Sequence, residues 1–294
     1  MPGDWKRANV TPIYKAGNRI KAANYRPVSL TSQVGKLMEK LIRDEIVMHL
    51  EGKGLLRNSQ HGFRKGRSCV TNLLQYMDKA TEYVDRKESF DVIYLDFAKA
   101  FDKVPHQRLL KKIEGYKIGG SILRWIRNWL LNRCQRVCSG EGKSGWRDVL
   151  SGVPQGSVLG PVLFLIFIDD LDEGIVSRIL KFEDDTKVFG RVRNQEERMI
   201  LQRDLDKLVK WSEDWQMKFN VDKCGVLHGG SRNMKFDYVM NGTTLGKVDE
   251  EKDLGIMVRG DLKMSSQCKF ACNKASRFLG MIRRNIENKT PRLW

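Results

Sequence analysis

The sequence has no apolar stretch long enough to cross a bilayer. Its longest apolar run, Val158 to Ile168, is interrupted by Gly160 and Pro161, whereas a spanning helix needs about 20 apolar residues. The first residues, Met1-Pro2-Gly3-Asp4-Trp5-Lys6, hold no apolar signal-peptide core. An intracellular location, nucleus or cytoplasm, is therefore expected, with no membrane partner. There is no internal repeat and no low-complexity linker. The six cysteines, at 69, 134, 138, 224, 268 and 272, form no C-x-x-C pair. Two pairs are four residues apart, but no histidine lies beside either, which argues against zinc and for reduced thiols. With 30% charged and 41% hydrophobic residues the composition excludes a disordered chain. At 294 residues it can bury a sizeable core, in one large domain or two.

What is present is positive charge, unevenly placed. The net charge is +17; residues 1–67 hold 14 Lys+Arg against 5 Asp+Glu, and residues 263–294 hold 8 against 1. The middle, 68–262, is nearly balanced at 31 against 30. Basic flanks around an acidic centre point to a nucleic-acid polyanion held at both ends. A generally basic protein without such a partner is the plainer reading. An anionic membrane surface is a weaker rival, because no strongly amphipathic basic helix stands out.

Along the chain, Val10–Lys15 and Asn24–Leu30 read as extended pieces around a turn at Ala16-Gly17-Asn18. If they pair, Lys15 and Arg26 reach one phosphate chain; singly, each is a solvated charge. Residues 33–50 have helical spacing, with Val34, Leu37, Met38, Leu41, Ile42 and Ile46 forming a face for burial. A loop follows, Gln60-His61-Gly62-Phe63-Arg64-Lys65-Gly66-Arg67-Ser68, whose glycines and cations suit close approach to a phosphate backbone. A second helix runs over 70–84, with Leu73, Leu74, Met77, Ala80 and Val84 periodic. Helices are expected within 106–133, their Ile122, Trp125, Ile126, Trp129 and Leu130 stripe serving as core. A strand pair is expected within 134–150, a buried helix over 161–171 and an amphipathic helix over 195–214. Residues 215–221 read as an alternating strand, 236–258 as short strands turning at Asn241-Gly242, and 262–286 as a basic helix. Leu254-Gly255-Ile256 is placed in the last of those strands. In Ser151-Gly152-Val153-Pro154-Gln155-Gly156, the glycines permit close approach of a backbone or a substrate, and Gln155 offers a neutral amide. A rigid loop before a buried helix accounts for them equally well.

The acidic centre is Asp96, which ends the apolar run Asp91–Leu95, together with Phe182-Glu183-Asp184-Asp185. The doublet lies 88 and 89 residues beyond Asp96. Adjacent strand residues face opposite ways, so Asp184 and Asp185 act together only at the tip of a hairpin, expected over 178–190. Three hard carboxylates from two strands suit Mg²⁺, and two such ions suit nucleotidyl transfer. Taken alone, aspartates at strand ends are turn residues.

Six motifs stand in one order: Pro12-Ile13-Tyr14-Lys15 with Asn24–Leu30; Gln60–Ser68; Leu95-Asp96-Phe97-Ala98-Lys99-Ala100-Phe101-Asp102; Ser151–Pro161; Phe182–Asp185; and Leu254-Gly255-Ile256. On these the chain resembles the reverse-transcriptase domain of non-LTR (LINE-type) retrotransposons, near the jockey and chicken-repeat group. The match runs from Trp5 to about Trp215, and more weakly to about residue 285. The resemblance implies an α/β (α+β) right-hand polymerase fold: fingers 1–90, palm 91–258 with a fingers insertion at about 103–150, and the start of a thumb over 259–294, cut short. It implies RNA-directed DNA synthesis, with an RNA template, a DNA primer and dNTPs as partners. Two Mg²⁺ ions are the implied cofactor, with Mn²⁺ as a substitute. Asp96, Asp184 and Asp185 match the metal-binding carboxylates, and Phe101 the aromatic gate that excludes a 2′-hydroxyl. Gln155 matches the glutamine beside the incoming nucleotide, and Lys15 and Arg26 the triphosphate cations. Arg64, Lys65, Arg67 and Gly156 are implied nucleic-acid contacts, and Leu254 and Gly255 the primer grip. Lys218 or Lys223 is the candidate general acid toward pyrophosphate.

Two departures stand out. The family usually has alanine before the aspartate pair, where this chain has Glu183, and the endonuclease domain that family members usually carry is not expected within these 294 residues. A fourth carboxylate raises its neighbours' pKa values and displaces an ion. Impaired polymerisation with retained RNA binding is therefore expected. The alternative is a catalytically dead, polymerase-derived RNA-binding module.

Overall fold

The computed structural model describes residues 1–286. The end of the expected thumb, 287–294, lies outside the described residues. The chain opens with β1 (Arg7–Tyr14) and β2 (Tyr25–Leu30), then α1 (Gln33–Gly52), α2 (Cys69–Asp85) and β3 (Phe90–Leu95). Next come α3 (Ala100–Lys103), α4 (His106–Gly115), α5 (Gly120–Leu130), β4 (Arg133–Ser139), β5 (Gly142–Lys143) and β6 (Arg147–Val149). The centre is α6 (Gly160–Ile168), β7 (Arg178–Phe182), β8 (Asp185–Arg191), α7 (Gln195–Asp214) and β9 (Gly225–Gly229). The remainder is β10 (Val239–Met240), β11 (Thr243–Thr244), β12 (Gly246–Val248), β13 (Glu250–Asp253), β14 (Ile256–Arg259) and α8 (Ser265–Asn285).

Two sheets carry the architecture. The larger has the order β12-β9-β3-β8-β7, antiparallel except for β12 beside β9. Its central strand, β3, is Phe-Asp-Val-Ile-Tyr-Leu, and every residue but Tyr94 is buried, as expected of a strand covered on both faces. The second sheet has the order β2-β1-β4-β5, with β6 also on β4. Because β4 runs parallel to β1, segment 133–149 joins the N-terminal hairpin rather than the sheet holding β3.

The main core forms around α6, where every residue except Pro161 is buried. A helix apolar all round needs partners all round. It finds them in α1, α4, α5, α7 and β3. Its first turn is capped from a distance: Glu39 on α1, 2% exposed, accepts from the Val158 and Leu159 N–H groups at 2.8 and 3.3 Å. A third bond to Glu39 comes from Trp129 Nε1, at 3.1 Å. This reverses part of the α1 expectation. Glu39, Ile42, Ile46 and Leu50 face inward, while Val34, Leu37 and Leu41 are about 60% exposed. Likewise α2 buries Asn72, Tyr76 and Ala80 and leaves Leu74 outside.

Residues 215–221 are not a regular strand. Their alternation is real, with Met217 and Phe219 buried and Lys218 exposed, but only Phe219 bridges Phe97. Leu254 and Gly255 form the turn between β13 and β14 rather than part of a strand, both at positive φ. No helix among the described residues is long and apolar enough to cross a membrane.

Candidate active site

The β7–β8 hairpin pairs Phe182 with Asp185, so Glu183 and Asp184 are its two turn residues and Asp185 begins β8. Glu183 has φ 55°, at the first central position of a tight hairpin turn, where glycine is the usual occupant. Next to it, β8 pairs with β3 so that Thr186 opposes Leu95. This register brings Asp96, one step past the end of β3, to the end of the hairpin.

Asp96 is held by its backbone. Its carbonyl accepts from Asn220 N–H at 2.7 Å, and Ala98 N–H donates to the Lys218 carbonyl at 2.9 Å. Lys223 Nζ lies 3.2 Å from Asp96 Oδ2, without hydrogen-bond alignment, and Oδ2 is buried with no hydrogen-bond partner. Beside this carboxylate is a cavity of about 340 Å³ lined by Asp96, Phe182, Asp185, Lys223 and Leu254, among others.

The three aspartates interact electrically. Asp185 is exposed at its edge, yet the protein packed around its carboxyl pushes it up to about 6, with Asp184 and Asp96 adding to the rise. Burial also raises Asp184; Asp96 adds to this, and Arg26 and Lys15 oppose it. Glu183 is pushed up to about 7 by burial first, then by Asp184 and Asp185, with Arg26 opposing. Crowded, partly desolvated carboxylates of this kind are short of positive charge. Among the described residues, no three acidic, histidine or cysteine side chains form a ready metal cage. Mg²⁺ does not demand one, because one or two carboxylates plus substrate phosphates and water complete its shell. The donor set, with an Asp96 oxygen that accepts no hydrogen bond and has only the Lys223 charge beside it, fits a divalent cation.

The N-terminal hairpin brings its cations to this place. The register pairs Ile13 with Arg26 and Tyr14 with Tyr25, and Lys15 N–H donates to the Asn24 carbonyl at 2.9 Å. Lys15 and Arg26 therefore lie on one face, one diagonal step apart. Both are exposed. Lys15 also lines a cavity of about 600 Å³ with Tyr25, Lys99, Asp102 and Gln155. Gln155 Nε2 donates to Asp102 Oδ1 at 3.3 Å, and the Gln155 carbonyl accepts from Ser29 N–H at 2.7 Å. Phe101 stacks on Phe164, with centroids 4.5 Å apart, which fixes its ring against α6.

Other expected contacts have different local roles. Arg64 makes paired bonds to Glu51 at 3.1 Å and one to the Arg57 carbonyl at 2.8 Å. Arg67 bonds Asn58. Both arginines brace the loop, and of the three only Lys65 is exposed with no side-chain partner among the described residues. Gly156 has φ 100°, and a Cβ there would meet the Ser29 carbonyl at 2.8 Å. A Cβ on Gly62 would meet the Glu183 nitrogen at 2.5 Å. At both positions the close neighbour is protein backbone. Sequence reasoning does not single out Asp102 or Gln60; the second sits two residues before a close-approach glycine, the one signal available.

Comparison with known proteins agrees with this geometry. A family model described as reverse transcriptase (RNA-dependent DNA polymerase) matches residues 13–282. The RNA-directed DNA polymerase from mobile element jockey of Drosophila melanogaster is 30% identical over 277 residues, covering 90% of this chain and 30% of that protein. The probable RNA-directed DNA polymerase from transposon X-element of the same fly is 31% identical over 230 residues, covering 76% of this chain and 25% of that protein. The chain thus spans about a third or less of the curated relatives it matches. Telomerase from Candida tropicalis superposes with a TM-score of 0.58 at 12% identity, over 90% of this chain and 46% of that one. Telomerase from Candida albicans gives 0.59 at 12%, over 88% and 47%. These likenesses show a polymerase fold. The chain belongs to the reverse-transcriptase family, of the non-LTR retrotransposon type.

Proposed function

We propose that this domain copies an RNA template into DNA, adding dNTPs to a primer 3′-hydroxyl. One observation carries the reading: Asp96, Asp184 and Asp185 share one electrostatic site, and the cations that act on Asp184 are Lys15 and Arg26 from the other sheet. A carboxylate cluster faced by exposed cations suits a triphosphate, whose outgoing charge needs neutralising.

Asp96, Asp184 and Asp185 would hold two Mg²⁺ ions, or Mn²⁺ in their place. Bound there, such ions lower the pKa of the primer hydroxyl and neutralise the transferring phosphate. The chain's own residues do the rest. Lys15 and Arg26 take the β- and γ-phosphates. Gln155, oriented by Asp102 and Ser29, lies beside the nucleotide, and Phe101, backed by Phe164, blocks a 2′-hydroxyl. The primer end occupies the cavity between Asp96 and the Leu254-Gly255 turn. Lys223, 3.2 Å from Asp96, and the exposed Lys218 are the candidates to protonate departing pyrophosphate. In this reading residues 1–90 and about 103–150 are fingers, a grouping supported by the β1–β4 pairing. Residues 91–258 are palm, and the thumb starts at 259. Lys65 and the basic α8 contact nucleic acid outside the site.

Glu183 favours a second reading, an RNA-binding module that has lost catalysis, because its carboxyl sits against the aspartate pair. Primer extension on an RNA template, with RNA binding measured alongside, separates the two. Extension that falls more than about a hundredfold in Asp184→Asn supports synthesis. Tight RNA binding with no extension supports the module.

A further inference from the structure

The loop Gln60-His61-Gly62 has the composition of a phosphate contact, yet its contacts are with the catalytic turn. We propose that Gln60 is a positioning residue that holds the Glu183–Asp184 turn in its left-handed conformation. The proposal rests on the polymerase reading for its catalytic consequence, though not for the contact itself.

Gln60 is 1% exposed. Its Oε1 accepts from the Gly62 N–H at 2.7 Å and from the Glu183 N–H at 3.2 Å. Its Nε2 donates to the Glu183 carbonyl at 3.4 Å. One side-chain amide thus grips both backbone polar groups of the single turn residue at positive φ. A residue with a Cβ resists that conformation, and buried backbone groups demand partners. Gln60 provides both the partners and the restraint.

The grip needs a fixed base, and the loop has one. Gln60 bridges Lys181 in parallel. Lys181 N–H donates to the Ser59 carbonyl at 2.8 Å, and His61 N–H donates to the Lys181 carbonyl at 2.9 Å. The same carbonyl accepts from Asn72 Nδ2 on α2 at 3.1 Å. His61 is tied to α2 through Thr71 at 2.8 Å and Gln75 at 3.0 Å. Gly62 completes the device, since any Cβ there would collide with Glu183. The loop therefore adds a single bridge residue to the β7 edge and extends one amide around the end of the hairpin. Within the tripeptide the roles divide, with Gln60 holding the turn, His61 anchoring the loop and Gly62 allowing the approach.

Amide hydrogen exchange on the full chain tests the contact without any need for activity. Gln60→Met keeps length and removes the hydrogen bonds. Exchange at Glu183 is expected to speed up about tenfold, the loss of one hydrogen bond, with α6 and β3 amides unchanged. Unchanged exchange at Glu183, or an equal acceleration throughout the molecule, overturns the proposal. Primer extension gives the second readout. Gln60→Met is expected to lower kcat about tenfold or more, with KM for dNTP and RNA affinity within about twofold. Glycine enters positive φ unaided, so the same substitution is expected to cost far less in a Glu183→Gly background. Additive losses overturn the positioning role. If no variant extends a primer, the polymerase reading fails, and the exchange result still decides the contact.

Discussion

Glu183→Gln is expected to stabilise the protein near pH 8 and to leave it almost unchanged near pH 4. The Glu183 carboxyl is raised from 4.5 to about 7 in the folded chain, by burial and by Asp184 and Asp185. Between those two values the folded state keeps a proton that the unfolded state has lost, so stability falls as pH rises through the window. Below 4.5 both states are protonated and no cost exists; above about 7 the cost is complete. The rise from 4.5 to about 7 would be worth about 3 kcal/mol in a fully dry site at about 1.36 kcal/mol per pH unit; Glu183 is only half-buried, and solvent screening reduces this to about 1 kcal/mol. Glutamine keeps the side-chain length, the positive φ and the Gln60 contacts while removing the ionisable group. Urea denaturation of both proteins at the two pH values isolates this term, because the other titrating groups are common to both. A stability difference of the same size at both pH values would refute the reasoning.

Three further outcomes follow from the same geometry. Asp91 is fully buried and accepts from His228 Nδ1 at 2.7 Å, Tyr238 OH at 2.7 Å and Asn233 Nδ2 at 2.8 Å; Asp91→Ala orphans the His228 and Tyr238 donors, while Asn233 keeps the Phe90 and Gly229 carbonyls, and is expected to cost about 2–5 kcal/mol by denaturant titration. Phe101→Val, which removes a ring held flat on Phe164, is expected to raise ribonucleotide over deoxyribonucleotide incorporation by at least about tenfold in single-nucleotide assays. Mg²⁺ is expected to raise the melting temperature of the unaltered protein by binding the folded state, and to do so much less in Asp184→Asn; equal shifts in a thermal scan would count against the aspartates as ligands.

Those features whose cause is local are legible in advance. The burial of α6 follows from its unbroken apolar composition, and the β7–β8 hairpin from two apolar runs around a polar doublet. The β3 strand is visible for the same reason. Features set by distant partners are not legible. The inward face of α1 includes Glu39, which accepts from the start of α6 and from Trp129; periodicity places Ile42 and Ile46 on that face correctly but adds Val34, Leu37 and Leu41, which are exposed. Residues 215–221 alternate as a strand does, but Phe97 offers them only a single bridge. In the site, the aspartates and the Lys15–Arg26 pair are legible as types at spacings and as motifs in order. The roles of Gly62 and Gly156 are not, since the backbone each one admits lies over a hundred residues away in the chain. Arg64 and Arg67 read as phosphate contacts because sequence shows a cation and not the Glu51 or Asn58 that engages it.

If the carboxylates at the ends of β3 and β8 carry metal-dependent synthesis, and Glu183 impairs them, then removing the Glu183 carboxylate should restore speed. The decisive measurement is primer extension on an RNA template, comparing the unaltered protein with Glu183→Ala in Mg²⁺ and with Mg²⁺ chelated. Glu183→Ala is expected to extend about tenfold faster, because the carboxylate no longer competes with the aspartates for the ions, and chelation or an added Asp184→Asn is expected to abolish the gain. Equal rates for the two proteins, or extension that survives chelation, would contradict both roles.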